Sequence, residues 1–142
     1  MSAGKLTIAD YPLAEKRPEL VHGARGKALE EITLESVLSD TTTLEDLRIT
    51  STALRQQAEI ARAAGRPTLA ENFERAAELV DVPQDTIMRV YELLRPGRAR
   101  GRDEMIAVAA ELKTKHGAHI MAAFVEEAAD VYERRGLFKK RY

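Results

Sequence analysis

Apolar residues recur three and four positions apart over five stretches of this chain, and nowhere do they alternate over a useful length as a strand requires. The first stretch runs from Ser51 to Ala64. Leu54, Ala58 and Ala61 form its stripe, Thr50 is placed as its cap, and Gly65 as its left-handed terminator. The second begins at Pro67, a favoured first-turn residue. Its stripe is Leu69, Phe73, Ala76, Ala77 and Val80, with Glu71, Glu74, Arg75 and Glu78 on the outer face. The third begins at Pro83, where Asp85 complements the helix dipole. Ile87, Val90, Tyr91 and Leu94 are expected to face inwards, and Arg95-Pro96-Gly97 to stop it. The fourth spans Asp103 to His116 and ends at Gly117, with Ile106, Ala109, Ala110 and Leu112 as buried positions. The fifth spans Ala118 to Arg135 and ends at Gly136. Its stripe is Ile120 or Met121, then Phe124, Val125, Ala128, Val131 and Tyr132. Two shorter pieces come earlier. Thr33 caps a turn of helix through Leu38, and Thr43 caps another, with an acid three residues on. The pattern predicts an all-α protein, a small bundle of about five helices whose short connections favour antiparallel neighbours. No helix-pair repeat recurs.

Ahead of Ile32 the period is lost. Pro12 and Pro18 each fix φ, remove a donor and push the preceding residue towards extended geometry, and Gly23 and Gly26 punctuate the stretch after them. The expectation is an extended arm with at most a helical turn near Glu19 to His22. The arm still carries Leu6, Ile8, Tyr11, Leu13, Leu20, Val21 and Leu29, which a floppy tail does not need. Ordering a backbone costs roughly 1–2 kcal/mol per residue, more than these side chains return on burial. Hydrogen bonds to a surrounding surface must supply the rest, and an Ala-rich bundle offers little surface. Either the arm is disordered in the isolated chain or it is ordered on a partner, and the apolar anchors favour the partner. The division read from sequence is therefore residues 1–32 as an arm docking on a partner subunit and residues 33–142 as a helical domain.

Composition narrows the class. At 142 residues the chain has the length of one ordinary domain. Aromatic residues make up 5%, with no Trp, so the core is one of small side chains. Charged residues make up 32% with a formal net charge of −1, which leaves no global electrostatic footprint for nucleic acid. Two basic clusters stand out locally: Arg95, Arg98, Arg100 and Arg102 in one loop, and Arg134, Arg135, Lys139, Lys140 and Arg141 at the C-terminal end. With no cysteine, disulfides, thiolate catalysis and zinc–thiolate sites are excluded. No apolar run approaches the length of a bilayer span, and the N-terminus lacks the apolar core of a secretory signal.

Candidate chemistry is thin. His116 and His119 have a spacing seen in metal sites, but Gly117 between them breaks the helix and no third ligand stands near. His22 is alone in the arm. Glu126, Glu127, Asp130 and Glu133 form a carboxylate group on the polar side of a helix, with Arg134 four residues after Asp130 as an ordinary supporting pair. A solvated face accounts for them better than general acid–base work. Gly97 to Arg102 has the look of an RNA-binding element without the aromatic residues that stack bases. Gly23 to Ala28 lacks the spacing and the preceding strand of a phosphate loop. No residue is assigned as catalytic, cofactor-binding or metal-ligating. Residues alone describe a helical interaction module, with a stand-alone or RNA-binding role through Arg95 to Arg102 as the rival.

Several blocks in order resemble one family. Tyr11-Pro12-Leu13-Ala14-Glu15-Lys16-Arg17-Pro18-Glu19 is similar to the start of the small (gamma) subunit of adenosylcobalamin-dependent propanediol and glycerol dehydratases. The resemblance continues through Ile32-Thr33-Leu34-Glu35, Glu45-Asp46-Leu47-Arg48-Ile49-Thr50 and Gln57-Ala58-Glu59-Ile60-Ala61. It extends over Asn72-Phe73-Glu74-Arg75-Ala76-Ala77-Glu78-Leu79, Leu94-Arg95-Pro96 and Ala122-Ala123-Phe124-Val125. The resemblance implies a dimer of heterotrimers in which a large subunit carries the diol site. It implies adenosylcobalamin held between large and medium subunits, and radical conversion of propane-1,2-diol or glycerol to propanal or 3-hydroxypropanal plus water. It implies no catalytic residue on this chain, which would dock on and stabilise the large subunit. Neither nucleic acid nor membrane is an expected partner. The expected location is the cytoplasm, with a bacterial microcompartment as a second setting. Some members carry a longer leader linked to packaging there, and the short one here weakens that expectation. The loop from Gly97 to Arg102 departs from the family pattern in its Arg and Gly content.

Overall fold

The computed structural model describes residues 4–138. It is all-α, and among the described residues the only β pairing is one isolated antiparallel bridge, His22 to Ala28. Among the described residues eight α-helices occur in order: α1 Leu13–Lys16, α2 Leu34–Leu38, α3 Leu44–Leu47, α4 Ser51–Ala63, α5 Pro67–Leu79, α6 Gln84–Leu94, α7 Arg102–His116 and α8 His119–Arg134. Short 3-10 turns lie at Ile8–Asp10, Pro18–Leu20 and Leu29–Glu31. The five long helices are the five read from the pattern, with ends within a residue or two. The chain divides into two compact units after Val80.

In the first unit α4 and α5 form an antiparallel-type hairpin around Ala58, Ala61 and Ala70, with Leu69 and Phe73 packed against them. Thr50 Oγ1 accepts from the Ala53 N–H at 3.0 Å, which satisfies one of the orphan donors at the start of α4. Gly65 closes it at φ 71°, a conformation that Cβ-bearing residues avoid.

The arm differs from the extended reading. Its prolines start helical turns rather than prevent them: Pro12 flanks α1, and Pro18 opens a 3-10 turn at a position whose N–H needs no partner. These turns satisfy much of the arm's backbone locally, through bonds such as Arg17 N to Leu13 O at 2.8 Å. Nor is the chain short of surface for the arm. Leu6 and Leu13 are buried in a cluster with Ile60 of α4, and Leu20 and Val21 pack against it. The Leu6 N–H donates to Glu59 at 2.9 Å. A seam on the opposite side of α4 from its alanines thus holds Leu6, Leu13, Leu20 and Val21 of the arm.

In the second unit α7 and α8 pack along each other, with Gly117 at φ 62° making the turn between them. Two inward stripes are met in part, with Ala109 and Leu112 of α7 and Met121 and Val125 of α8 buried as expected. On α7 the buried set is Met105, Val108, Ala109 and Leu112, and Ala110 is exposed. On α8 it is Met121, Ala122, Val125 and Ala129, whereas Ile120 and Phe124 lie towards solvent. Tyr91 of α6 is also outward, 56% exposed, while Val90 beside it is buried. Tyr132 is only part-buried, and its hydroxyl donates to the Leu94 carbonyl.

Candidate subunit-docking surface

The segment between the arm and α4 is built in an unusual way. Thr33 Oγ1 accepts from the Ser36 N–H at 3.1 Å and starts α2. The Thr43 N–H donates to Asp46 at 2.9 Å and starts α3. Both caps are legible in the sequence. Neither helix has an apolar core: α2 buries no residue, and α3 buries only Asp46. Their apolar side chains point outwards instead. Leu34, Leu38 and Leu44 are 76%, 77% and 82% exposed, and Val37, Leu47 and Ile49 are exposed as well. Leu34, Val37 and Leu38 share one stripe of α2 by helical spacing, and Leu44 and Leu47 share one of α3.

Polar bonds hold this segment in place of a core. The Asp46 side chain is fully shielded from solvent. Arg25 donates to it through Nε at 2.8 Å and also through Nη2, a two-point grip suited to a carboxylate. Lys27 Nζ lies 4.0 Å from the same carboxylate and donates to the Thr41 carbonyl and to Thr42 Oγ1. The hydroxyls of Ser36 and Thr42 meet at 2.7 Å, and the Thr42 N–H donates to the Ser36 carbonyl at 2.8 Å, tying α2 to the loop before α3. The Arg25 guanidinium first, then the Thr43 N–H, hold the Asp46 carboxyl well below the usual carboxylate range. The backbone carrying Arg25 and Lys27 is a tight turn in which Gly23 N donates to the Lys27 carbonyl at 2.9 Å. Gly23 allows its close approach, since a Cβ there would stand 2.5 Å from the Asp46 carbonyl oxygen. The stretch from Gly23 to Ala28, which has no phosphate-loop spacing, is thus one half of an ionic clasp.

The arm presents a second outward set. Ile8 and Tyr11 are each 58% exposed, while Leu13 beside them is buried. A groove of about 650 Å³ runs beside α4 between the Tyr11 to Ala14 stretch and Gln56 and Gln57.

The remaining sequence candidates are dispersed. His116 ends α7, His119 begins α8, and His22 is exposed in the first unit. No cluster of three or more His, Asp or Glu able to hold a metal occurs among the described residues. Asp130 pairs with Arg102 of α7 at 2.7 Å, rather than along its own helix with Arg134. Glu133 also faces Arg102, at 3.5 Å, and Glu126 faces Lys113 at 3.6 Å. The arginine loop is similarly occupied: Arg95 and Arg98 meet Glu92, and Arg100 meets Glu104. These acids neutralise the field an RNA backbone would need. Lys139, Lys140 and Arg141 of the C-terminal basic cluster lie outside the described residues. Among the described residues no helix is long and apolar enough to cross a membrane.

Exposed apolar rows on rigidly held short helices are what a subunit interface leaves bare in a separated chain. Comparison with known proteins gives the family. Residues 6–139 match the family described as dehydratase small subunit. The chain belongs to that family. It is 51% identical over 138 residues to the propanediol dehydratase small subunit of Citrobacter freundii, covering 97% of this chain and 80% of that protein. It is also 51% identical over 132 residues to the propanediol dehydratase small subunit of Salmonella typhimurium (strain LT2), covering 93% of this chain and 76% of that one. A dehydratase small subunit belongs to a multi-subunit assembly. The outward leucines are the feature that periodicity alone misses. Their sign is nonetheless present in the sequence: two capped turns too short to have an inner and an outer face, yet each with two or three large apolar residues.

Proposed function

We propose that this chain is the small, non-catalytic subunit of an adenosylcobalamin-dependent diol dehydratase. In this reading it docks on the large subunit and stabilises the assembly, as one member of a dimer of heterotrimers in the cytoplasm or a microcompartment. The reaction is the radical conversion of propane-1,2-diol or glycerol to propanal or 3-hydroxypropanal and water. The observation that carries the docking role is the set of large apolar side chains held outwards in the first unit, Leu34, Leu38, Leu44 and Tyr11 among them. The relatives named as propanediol dehydratase small subunits support the substrate class. Among the described residues no site fits the cofactor. The groove beside α4, about 650 Å³, is too small for a cobalamin with its nucleotide tail and adenosyl group. The reading therefore assigns adenosylcobalamin to the large and medium subunits, and no step of the reaction to this chain. The test is co-expression with the neighbouring large and medium subunits. A stable complex is expected, with aldehyde formed from diol only when adenosylcobalamin is added. A chain that purifies apart from them and adds nothing to that activity overturns the proposal.

A further inference from the structure

We infer that the leucine rows of α2 and α3 are the part of this chain that seats on the partner subunit, and that the partner meets them with an apolar patch rimmed by basic side chains. This rests on the docking role proposed above and names its surface. Two observations carry the surface. The rows are long for their exposure: Leu34, Val37, Leu38, Leu44, Leu47 and Ile49 fall within one short segment, and all are exposed. The segment is pre-ordered by the Arg25–Asp46 clasp and the Ser36–Thr42 bonds rather than by apolar burial. A partner therefore meets a surface whose ordering is already complete, which is where preorganisation raises affinity.

Charge decides the occupant. From Leu29 to Thr50 the sequence carries Glu30, Glu31, Glu35, Asp40, Glu45 and Asp46 against Arg48 alone. Arg25 and Lys27 offset Asp46, and Arg48 pairs with Glu45 at 3.1 Å. Glu30, Glu31, Glu35 and Asp40 remain as an exposed acidic rim. A second copy of this chain would bring two such rims together, and like charges across an interface are strongly unfavourable. The fitting occupant is thus another subunit with Lys or Arg around an apolar patch.

The experiment titrates the full chain against the purified complex of large and medium subunits. The variants are Leu38→Asp, Leu44→Asp and Glu35→Lys, with Met88→Asp as a control at an exposed apolar position in the second unit. Helix content of each free variant is followed by circular dichroism. Leu38→Asp and Leu44→Asp are expected to weaken binding about tenfold or more with helix content kept. Glu35→Lys should weaken it less and remove part of its salt dependence. Met88→Asp should leave it unchanged. Wild-type affinity in both leucine variants overturns the inference while leaving the docking role standing, and so does an equal loss in Met88→Asp. Free wild-type chain that sediments as a dimer, and as a monomer once Leu38→Asp is introduced, overturns it in favour of a second copy. Failure of the wild-type chain to bind at all overturns the docking role itself.

Discussion

Gly23→Ala isolates the clasp from every other feature of the first unit. The backbone of Gly23 is not in the left-handed region, so a methyl group adds no conformational strain there. What it adds is overlap. The new Cβ would sit 2.5 Å from the Asp46 carbonyl oxygen, whereas ordinary contact begins at 3.4 Å, so about 0.9 Å must be opened. Both sides of that contact are backbone, and neither can rotate away. The turn from Gly23 to Ala28 must lift off α3, taking Arg25 and Lys27 with it. Overpacking of this kind costs about 1–3 kcal/mol. The assay is urea unfolding of the free chain, combined with hydrogen exchange at the Gly23 and Thr43 amides. Thr43 donates to Asp46 at 2.9 Å beneath the turn, so its amide should lose protection, whereas the 2.9 Å bond from Gly23 to Lys27 lies within the turn and moves with it. Gly26→Ala is the paired control. It has open space around it but φ 82°, so its penalty of about 1–2 kcal/mol is conformational and leaves the Thr43 amide protected. If Gly23→Ala unfolds at the wild-type urea concentration, or leaves the Thr43 amide protected, the clasp does not couple the two segments as argued.

The same geometry sets three further outcomes. Leu112→Ala on α7, where the leucine is 1% exposed, should lower unfolding free energy by about 2–5 kcal/mol in urea titration, and a change under about 1 kcal/mol would contradict its core position. Thr50→Ala removes the acceptor for the Ala53 N–H and should cost about 1 kcal/mol by the same measurement, with Thr50→Ser recovering most of it. The Asp46 carboxyl titrates below its unfolded-state value near 3.8, so its ionised form stabilises the fold at every pH above that value. That contribution drains only as pH falls from there through the lower folded-state value. Thr43 amide protection should therefore persist through mildly acid solution and disappear in strong acid. Loss already near pH 5, where an unperturbed Asp is still ionised, would show that another group controls the segment.

The long helices are legible because each states itself twice, once in its period and once in its ends. Thr50, Gly65, Pro67, Gly117 and Gly136 are local signals, and local signals need no knowledge of the rest of the chain. Which side of a helix faces in is less securely written. Phe124 and Met121 lie three apart on α8, and size favours burying the aromatic ring, yet Met121 is inside and Phe124 is 38% exposed. With alanines making up so much of the apolar share, several stripes compete, and the choice among them is made by the neighbouring helix rather than by the helix itself. The arm departs from its sequence expectation for a different reason. Its prolines suggest obstacles to helix, although Pro at the first turn is compatible with it. Its seam on α4 centres on Ile60, a residue off the alanine stripe that defines the inner face.

The candidate surface shows what local patterning cannot carry at all. Thr43 and Asp46 are legible as a cap and its acid, three residues apart. That the same carboxylate is gripped by Arg25, 21 residues earlier, depends on a loop closing back on itself. Once that closure is known, the exposure of the leucines has a cause. A segment fixed by ionic and hydroxyl contacts around one shielded carboxylate has no need to bury its apolar side chains for its own fold, and in α2 and α3 it buries none. The usual arrangement, apolar within and charged without, is inverted over this one stretch. Such an inversion is tolerated because the shielded carboxylate is paired, Asp46 with Arg25 and with Lys27. It is useful only if something else covers the leucines. The clasp and the bare surface are therefore one feature: the polar bonds supply the order that lets the apolar residues be presented rather than buried.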